Sequence, residues 1–294
     1  GPRPMFSGVI TALVTPFRND RVDEEALRRL VNDQIANGID GLVPCGTTGE
    51  SATLDVDEHL RVIKIVVEET AQRVPVIAGT GANSTKEAIE LSKAAKSAGA
   101  DGMLQVTPYY NKPTQDGLFN HFKAIIEAVP LPTILYNVPG RTACDLLPET
   151  LERLCVIKQV VAVKEATASA TRAAEIIARI GDRLSVFSGD DATSFALYAL
   201  GAKGCISVVS NVAPRLMAAM WDAAAMGEWN TARDLHYKLF PISQGLFVES
   251  NPIPVKAALA MMGRISEEIR PPLYPLSQKY RDTLKHLLAD LELL

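Results

Sequence analysis

Cysteine, histidine and tryptophan are scarce in this chain, with four, four and two copies. Cys45, Cys144, Cys155 and Cys205 lie far apart and mostly in apolar runs, so they read as buried thiols of a reducing compartment, not as a disulfide framework or a zinc site. The isolated histidines offer no metal-ligand spacing, and no metal is expected. No apolar run approaches the roughly 20 residues that a membrane-spanning helix needs. Charge of one sign is also missing. Lys and Arg number 30 against 34 Asp and Glu, a net charge of −4, and the basic residues are scattered, which argues against nucleic acid and anionic membrane as partners. There is no low-complexity segment and no Pro/Gly/Ser-rich linker. Gly1-Pro2-Arg3-Pro4 ahead of Met5 reads as a cloning remnant, no signal-peptide pattern precedes Met5, and a cytoplasmic location is expected.

What is present is a hydrophobic content of 47% with 22% charged residues over 294 positions, enough for a large single core. Apolar, β-branched runs at 9–16, 41–46, 74–81, 102–108, 132–139, 160–166, 184–189 and 204–210 alternate with amphipathic stretches at 23–37, 55–73, 84–98, 115–128, 148–154, 169–180 and 191–200. Asp55 with Glu58 and Ser84 with Glu87 fit capping boxes, and Pro148 fits a first helical position. Eight strand–helix alternations predict an α/β fold, a (β/α)8 TIM barrel, rather than an open doubly-wound sheet. Gly38-Ile39-Asp40-Gly41, Gly99-Ala100-Asp101-Gly102 and Gly201-Ala202-Lys203-Gly204 each end a helix and begin a strand, the tight return such barrels use. Residues 214–226 can supply the eighth helix, and 229–248, 253–262 and 276–291 read as three more. The expected organisation is a catalytic barrel over 5–226 with a helical extension, 227–294, packed on it.

The stretch Val160-Val161-Ala162-Val163-Lys164-Glu165-Ala166 is a strand buried on both faces that ends on a lysine. Period-two alternation puts Lys164 on the side of the small Ala162. Lysines in dry surroundings tend to lose their proton, and the free amine attacks carbonyl carbon, the first step of Schiff-base chemistry. A plainer alternative is a lysine that snorkels to water or pairs with Glu165.

Barrel sites lie at the C-terminal ends of the strands, and polar residues gather at those ends here. They are Gly46-Thr47-Thr48-Gly49-Glu50, Gly79-Thr80-Gly81-Ala82-Asn83, Thr107-Pro108-Tyr109-Tyr110-Asn111, Tyr136-Asn137-Val138-Pro139-Gly140-Arg141-Thr142, Lys164, Ser188-Gly189-Asp190-Asp191, and the region of Ser207. Thr47-Thr48-Gly49 is either a capped turn or a small carboxylate site built from hydroxyls and backbone N–H groups. Tyr109 and Tyr110 can be packing aromatics; Tyr136 can be core or a proton shuttle beside the lysine. Arg141 is a surface charge unless it turns inward, where its planar fork suits a substrate carboxylate. Asp190 and Asp191, read as caps of the next helix, stand where many barrels bind phosphate, so a phosphorylated substrate is disfavoured.

Gly46-Thr-Thr-Gly-Glu50, Thr107-Pro-Tyr-Tyr-Asn111, Leu135-Tyr-Asn-Val-Pro139 with Arg141-Thr142, Val163-Lys-Glu-Ala166 and Asn251-Pro-Ile-Pro-Val-Lys256 together resemble the bacterial dihydrodipicolinate synthases, from Met5 to the C-terminus. The resemblance implies condensation of pyruvate with L-aspartate 4-semialdehyde in lysine biosynthesis, without metal or redox cofactor, in a homotetramer built as a dimer of dimers. Lys164 would form the Schiff base with C2 of pyruvate, and Thr47 and Thr48 would hold its carboxylate. Tyr136, Thr47 and Tyr110 would relay protons, Tyr110 entering from a neighbouring subunit. Arg141 would bind the semialdehyde carboxylate, with the Ile206 carbonyl and Gly189 also lining the substrate site. Lysine-inhibited members use positions matching Ser51, Ala52, His59, Asn83, Glu87 and Tyr109 at a dimer interface. This chain departs from them at Val56, where those enzymes often carry histidine, which puts feedback inhibition in doubt. The competing readings are a sister aldolase acting on N-acetylneuraminate or a 2-keto-3-deoxy acid, and, from another class, a catalytically silent binding protein.

Overall fold

The computed structural model describes residues 5–294. Each apolar run carries one parallel strand: β1 Gly8–Ala12, β2 Gly41–Val43, β3 Ile77–Gly79, β4 Gly102–Val106, β5 Thr133–Asn137, β6 Val160–Glu165, β7 Ser185–Ser188 and β8 Gly204–Ser207. Their order is β2-β1-β8-β7-β6-β5-β4-β3, and a single bridge from Leu42 to Val76 joins the two outer strands, closing a barrel. A second thin junction lies between β7 and β8, which share only the Ser188–Cys205 pair. By contrast, β5 and β6 are joined through five pairs.

Helices α1 Glu24–Ala36, α2 Val56–Thr70, α3 Thr85–Ser97, α4 Gln115–Ala128, α5 Pro148–Leu154, α6 Ala170–Ile180, α7 Ser194–Leu200 and α8 Pro214–Ala225 follow the strands in turn. Asp55 and Glu58 form the full reciprocal capping box on α2. On α3 only half of the expected box forms, Ser84 accepting from the Glu87 N–H. Three further helices, α9 Trp229–Gly245, α10 Ile253–Met261 and α11 Arg281–Asp290, complete the chain, α9 lying along α8 and α11 against α9 and α10. The last α-helix begins later than its periodicity predicts: Glu249 captures both the backbone N–H and the hydroxyl of Ser277, and a single 3-10 turn, Gln278–Tyr280, leads into Arg281. Among the described residues no helix is long and apolar enough to cross a membrane.

Alternation divides the apolar residues into two cores. Ile10, Val43, Ile77, Leu104, Ile134, Ala162, Phe187 and Ile206, one from each strand, fill the barrel interior. Their neighbours, such as Val9, Leu42, Met103, Leu135 and Val163, pack outward under the helices. The repeated glycines have a physical cause: Gly38, Gly99 and Gly201 take φ of 88°, 96° and 110°, the left-handed stop of a helix. In two of the three repeats the aspartate then closes the barrel floor, Asp40 accepting from Val9 N at 2.8 Å and Asp101 from Val76 N at 2.9 Å.

Candidate active site

Lys164, the last residue of β6 but one, faces the barrel interior, 7% exposed, and pairs in register with Tyr136 of β5. Its Nζ lies 4.0 Å from the centroid of the Tyr136 ring. The room for its stem comes from Gly189, where an added Cβ would stand 3.1 Å from Lys164 Cγ and 2.7 Å from Ala166 Cβ. Glu165 does not pair with the lysine. Alternation sends it to the outer face, where it accepts from Asn137 Nδ2 at 3.2 Å and Thr167 N at 2.7 Å. Asn137 also donates to Asp145, which is clamped by two 2.8 Å bonds from Arg172. The Arg172 hydrogen bonds hold the Asp145 carboxyl below the usual carboxylate range. The strand ends bearing Tyr136 and Lys164 are therefore tied together from behind.

After β2 the chain does form a turn, Glu50 N donating to Thr47 O at 3.0 Å. The turn also holds a buried Thr48 whose Oγ1 accepts from Asn251 Nδ2 at 2.9 Å. Thr47 beside it is half-buried. Arg141 stands in the single helical turn Pro139–Thr142 after β5, exposed, with Nη2 donating to the Asn251 carbonyl at 3.3 Å. Asn251 thus touches both proposed carboxylate-binding positions, a role that the sequence reading did not assign.

A buried lysine at a barrel strand end, a tyrosine beside it and a threonine turn on the same rim narrow the chemistry, and the comparison with known proteins decides the family. Residues 5–291 match the dihydrodipicolinate synthetase family model. The chain belongs to that family. It is 58% identical over 286 residues to the 4-hydroxy-tetrahydrodipicolinate synthase of Geotalea uraniireducens, covering 97% of this chain and 99% of the relative. Among solved structures, the chloride-inhibited dihydrodipicolinate synthase of Acinetobacter baumannii complexed with pyruvate matches at TM-score 0.97 and 48% identity, over 99% of this chain and 100% of that one. The Cyanidioschyzon merolae enzyme with lysine bound matches at TM-score 0.96 and 38% identity, over 99% of this chain and 100% of that one.

The remaining positions suggested by the family divide into three groups. Ile206 lies on β8 with its side chain in the barrel core. Tyr110 is 87% exposed in the single chain, at φ 79°, its backbone N–H held by Thr142 O at 3.2 Å, so its ring packs against little of its own chain. The third group does gather in one region. Asn83 Nδ2 donates to Tyr109 O at 3.1 Å, and His59 donates from Nε2 to Gly79 O at 2.7 Å. Burial lowers the His59 pKa while nearby Glu87 opposes the shift; burial and Glu87 both raise that of Tyr109. Ser51 and Ala52 stand in the short turn Ser51–Thr53, and Val56, exposed, begins α2.

Asp190 and Asp191 depart from their expected role as helix caps. Asp190 receives the Thr193 hydroxyl, while Asp191 reaches across to β8, accepting from Ser207 Oγ at 2.5 Å, Val208 N at 2.9 Å and Val209 N at 3.0 Å. Its carboxylate thus occupies two backbone N–H donors just beyond β8.

Proposed function

We propose that this chain condenses pyruvate with L-aspartate 4-semialdehyde to 4-hydroxy-tetrahydrodipicolinate, in lysine and diaminopimelate biosynthesis. The observation that carries the reading is Lys164, buried at the end of β6 over the Tyr136 ring and free of any carboxylate partner among the described residues. Its amine attacks C2 of pyruvate, water leaves, and an iminium forms. The positive nitrogen acidifies C3, loss of a C3 proton gives the enamine, and C3 attacks the aldehyde carbon of the semialdehyde. The substrate's own amine then displaces Lys164 and closes the ring.

Within this reading Thr47 and Thr48 hold the pyruvate carboxylate, Tyr136, Thr47 and Tyr110 move protons, and Arg141 receives the second carboxylate. The exposure of Tyr110, Tyr109 and Val56 supports a subunit boundary at these residues; a homotetramer whose Tyr110 serves a neighbour's site is what the family resemblance implies. A cytoplasmic location agrees with the four free cysteines.

The test is borohydride reduction in the presence of pyruvate. The expected result is a mass increase on the Lys164 peptide together with loss of synthase activity. Labelling elsewhere, or none during full turnover, overturns the mechanism; preferential turnover of sialic acid or a keto-deoxy sugar acid overturns the substrate.

A further inference from the structure

We infer that Lys256, on α10 outside the barrel, is a positioning residue for the Thr47-Thr48 carboxylate site, acting through a buried ion pair with Glu50. The inference rests on the reading of those threonines as the holders of the pyruvate carboxylate.

Lys256 is the only charged residue of α10 and is 1% exposed. Its Nζ donates to Glu50 Oε2 at 2.5 Å and to Thr15 O at 2.8 Å, and it lies 4.4 Å from the centroid of the Phe17 ring. The other Glu50 oxygen accepts from Arg270 N at 3.0 Å. Taking two charges out of water is costly, and an apolar helix such as α10 would be served as well by leucine or methionine if packing were the only demand. What the pair supplies is placement. Glu50 directly follows Thr47-Thr48-Gly49 and sits at φ 59°, a left-handed conformation rarely taken by side-chain-bearing residues. Thr15, the other acceptor of Lys256, uses its hydroxyl to hold the Gly49 carbonyl at 2.7 Å. One ammonium therefore fixes the threonine turn from both sides.

The same segment finishes the site chemically. Because Asn251 donates to Thr48 Oγ1, the Thr48 hydroxyl proton is left to point elsewhere, the polarity a bound carboxylate requires. The ammonium also neutralises Glu50, whose unpaired carboxylate would repel an anion two residues away in the turn.

The experiment compares wild type, Lys256→Met, Lys256→Gln and the double variant Lys256→Met/Glu50→Gln, each full length, for pyruvate KM, kcat, melting temperature and borohydride trapping. Lys256→Met is expected to raise the pyruvate KM about 10- to 100-fold, with a smaller loss of kcat at saturating pyruvate, because Thr47 in the same turn also moves protons. The double variant removes the stranded carboxylate but does not restore the links to Thr15 and Glu50, so it is expected to keep most of that rise in KM. If Lys256→Met does not fold, Lys256→Gln, which can still donate to Thr15, reads the same KM. A folded variant whose melting temperature falls while the pyruvate KM is unchanged overturns the positioning role, as does a double variant that returns to the wild-type KM, which would leave only repulsion by the Glu50 charge. Failure of wild type to trap pyruvate on Lys164 overturns the functional reading itself, and this role with it.

Discussion

A lysine can serve as a nucleophile only while carboxylates keep clear of its amine, and backbone alternation arranges this by sending Glu165 to the opposite face from Lys164. Arg141 works under a different condition, since it is exposed in the single chain and a salt link formed there is screened. Arg141→Leu is therefore expected to lower kcat/KM for aspartate semialdehyde by about 10- to 100-fold, below the loss typical of a fully buried charge pair. Pyruvate should still be trapped on Lys164 in that variant, because the first half-reaction does not use the arginine. Full activity with the semialdehyde would remove Arg141 from the site. Lys164 and Tyr136 were legible from the sequence because a two-residue period and a buried parallel strand fix where each side chain points. Asn251 and Lys256 were not, because their partners Thr48 and Glu50 lie 203 and 206 residues away and only the folded chain brings them together. The local hints were the motif Asn251-Pro-Ile-Pro-Val-Lys256, to which no role was attached, and a lone charge in the otherwise uncharged helix Ile253–Met261.

At the scale of elements, helix α4 carries a pH-sensitive contact. His121 is buried, its Nδ1 paired with Thr85 Oγ1 at 2.7 Å and its Nε2 without a partner among the described residues, and burial holds its pKa down to about 4. Because the folded value lies below the unfolded value of 6.5, the contribution of this group is intact above pH 6.5 and is lost as the pH falls toward 4. Chemical denaturation should show a loss of about 2 kcal/mol between pH 7 and 5 from this group, and His121→Asn should flatten that slope. Helix α2 presents Val56, 58% exposed, as its first residue beside the cluster of His59, Asn83, Glu87 and Tyr109. Valine offers no hydrogen bond, so L-lysine is expected to inhibit at least about tenfold less sensitively than in a Val56→His variant. Equal inhibition curves for the two proteins would show that the other residues suffice. The number and type of the barrel elements were readable because hydrophobic period and glycine stops agree at each turn. The start of α11 and the destination of Asp191 were not, because side chains distant in sequence decide both.

For the whole molecule, the first consequence concerns assembly. If Tyr110 serves a neighbour's site, mixing inactive Tyr110→Phe and Lys164→Ala chains should restore partial activity, since a mixed dimer holds one site with both groups intact. Verified mixed assemblies that stay inactive would confine each site to one chain. The second consequence comes from the two thin junctions, β2 with β3 and β7 with β8. They divide the barrel into a block of three strands, β8-β1-β2, and a block of five, β3 to β7. Lys164 and Tyr136 belong to the larger block, Thr47, Thr48 and Ile206 to the smaller. A pyruvate bonded to Lys164 and gripped through its carboxylate by the threonines would act as a staple between two half-shells. Deuterium uptake at the Leu42 and Gly79 amides, which hold the first seam through Pro75 and Pro44 carbonyls at 3.1 and 2.9 Å, should be faster than within β5 and β6. Locking the adduct with borohydride should slow exchange at both seams while leaving the interior of the five-strand block unchanged, so that the substrate itself becomes the last stave of the barrel.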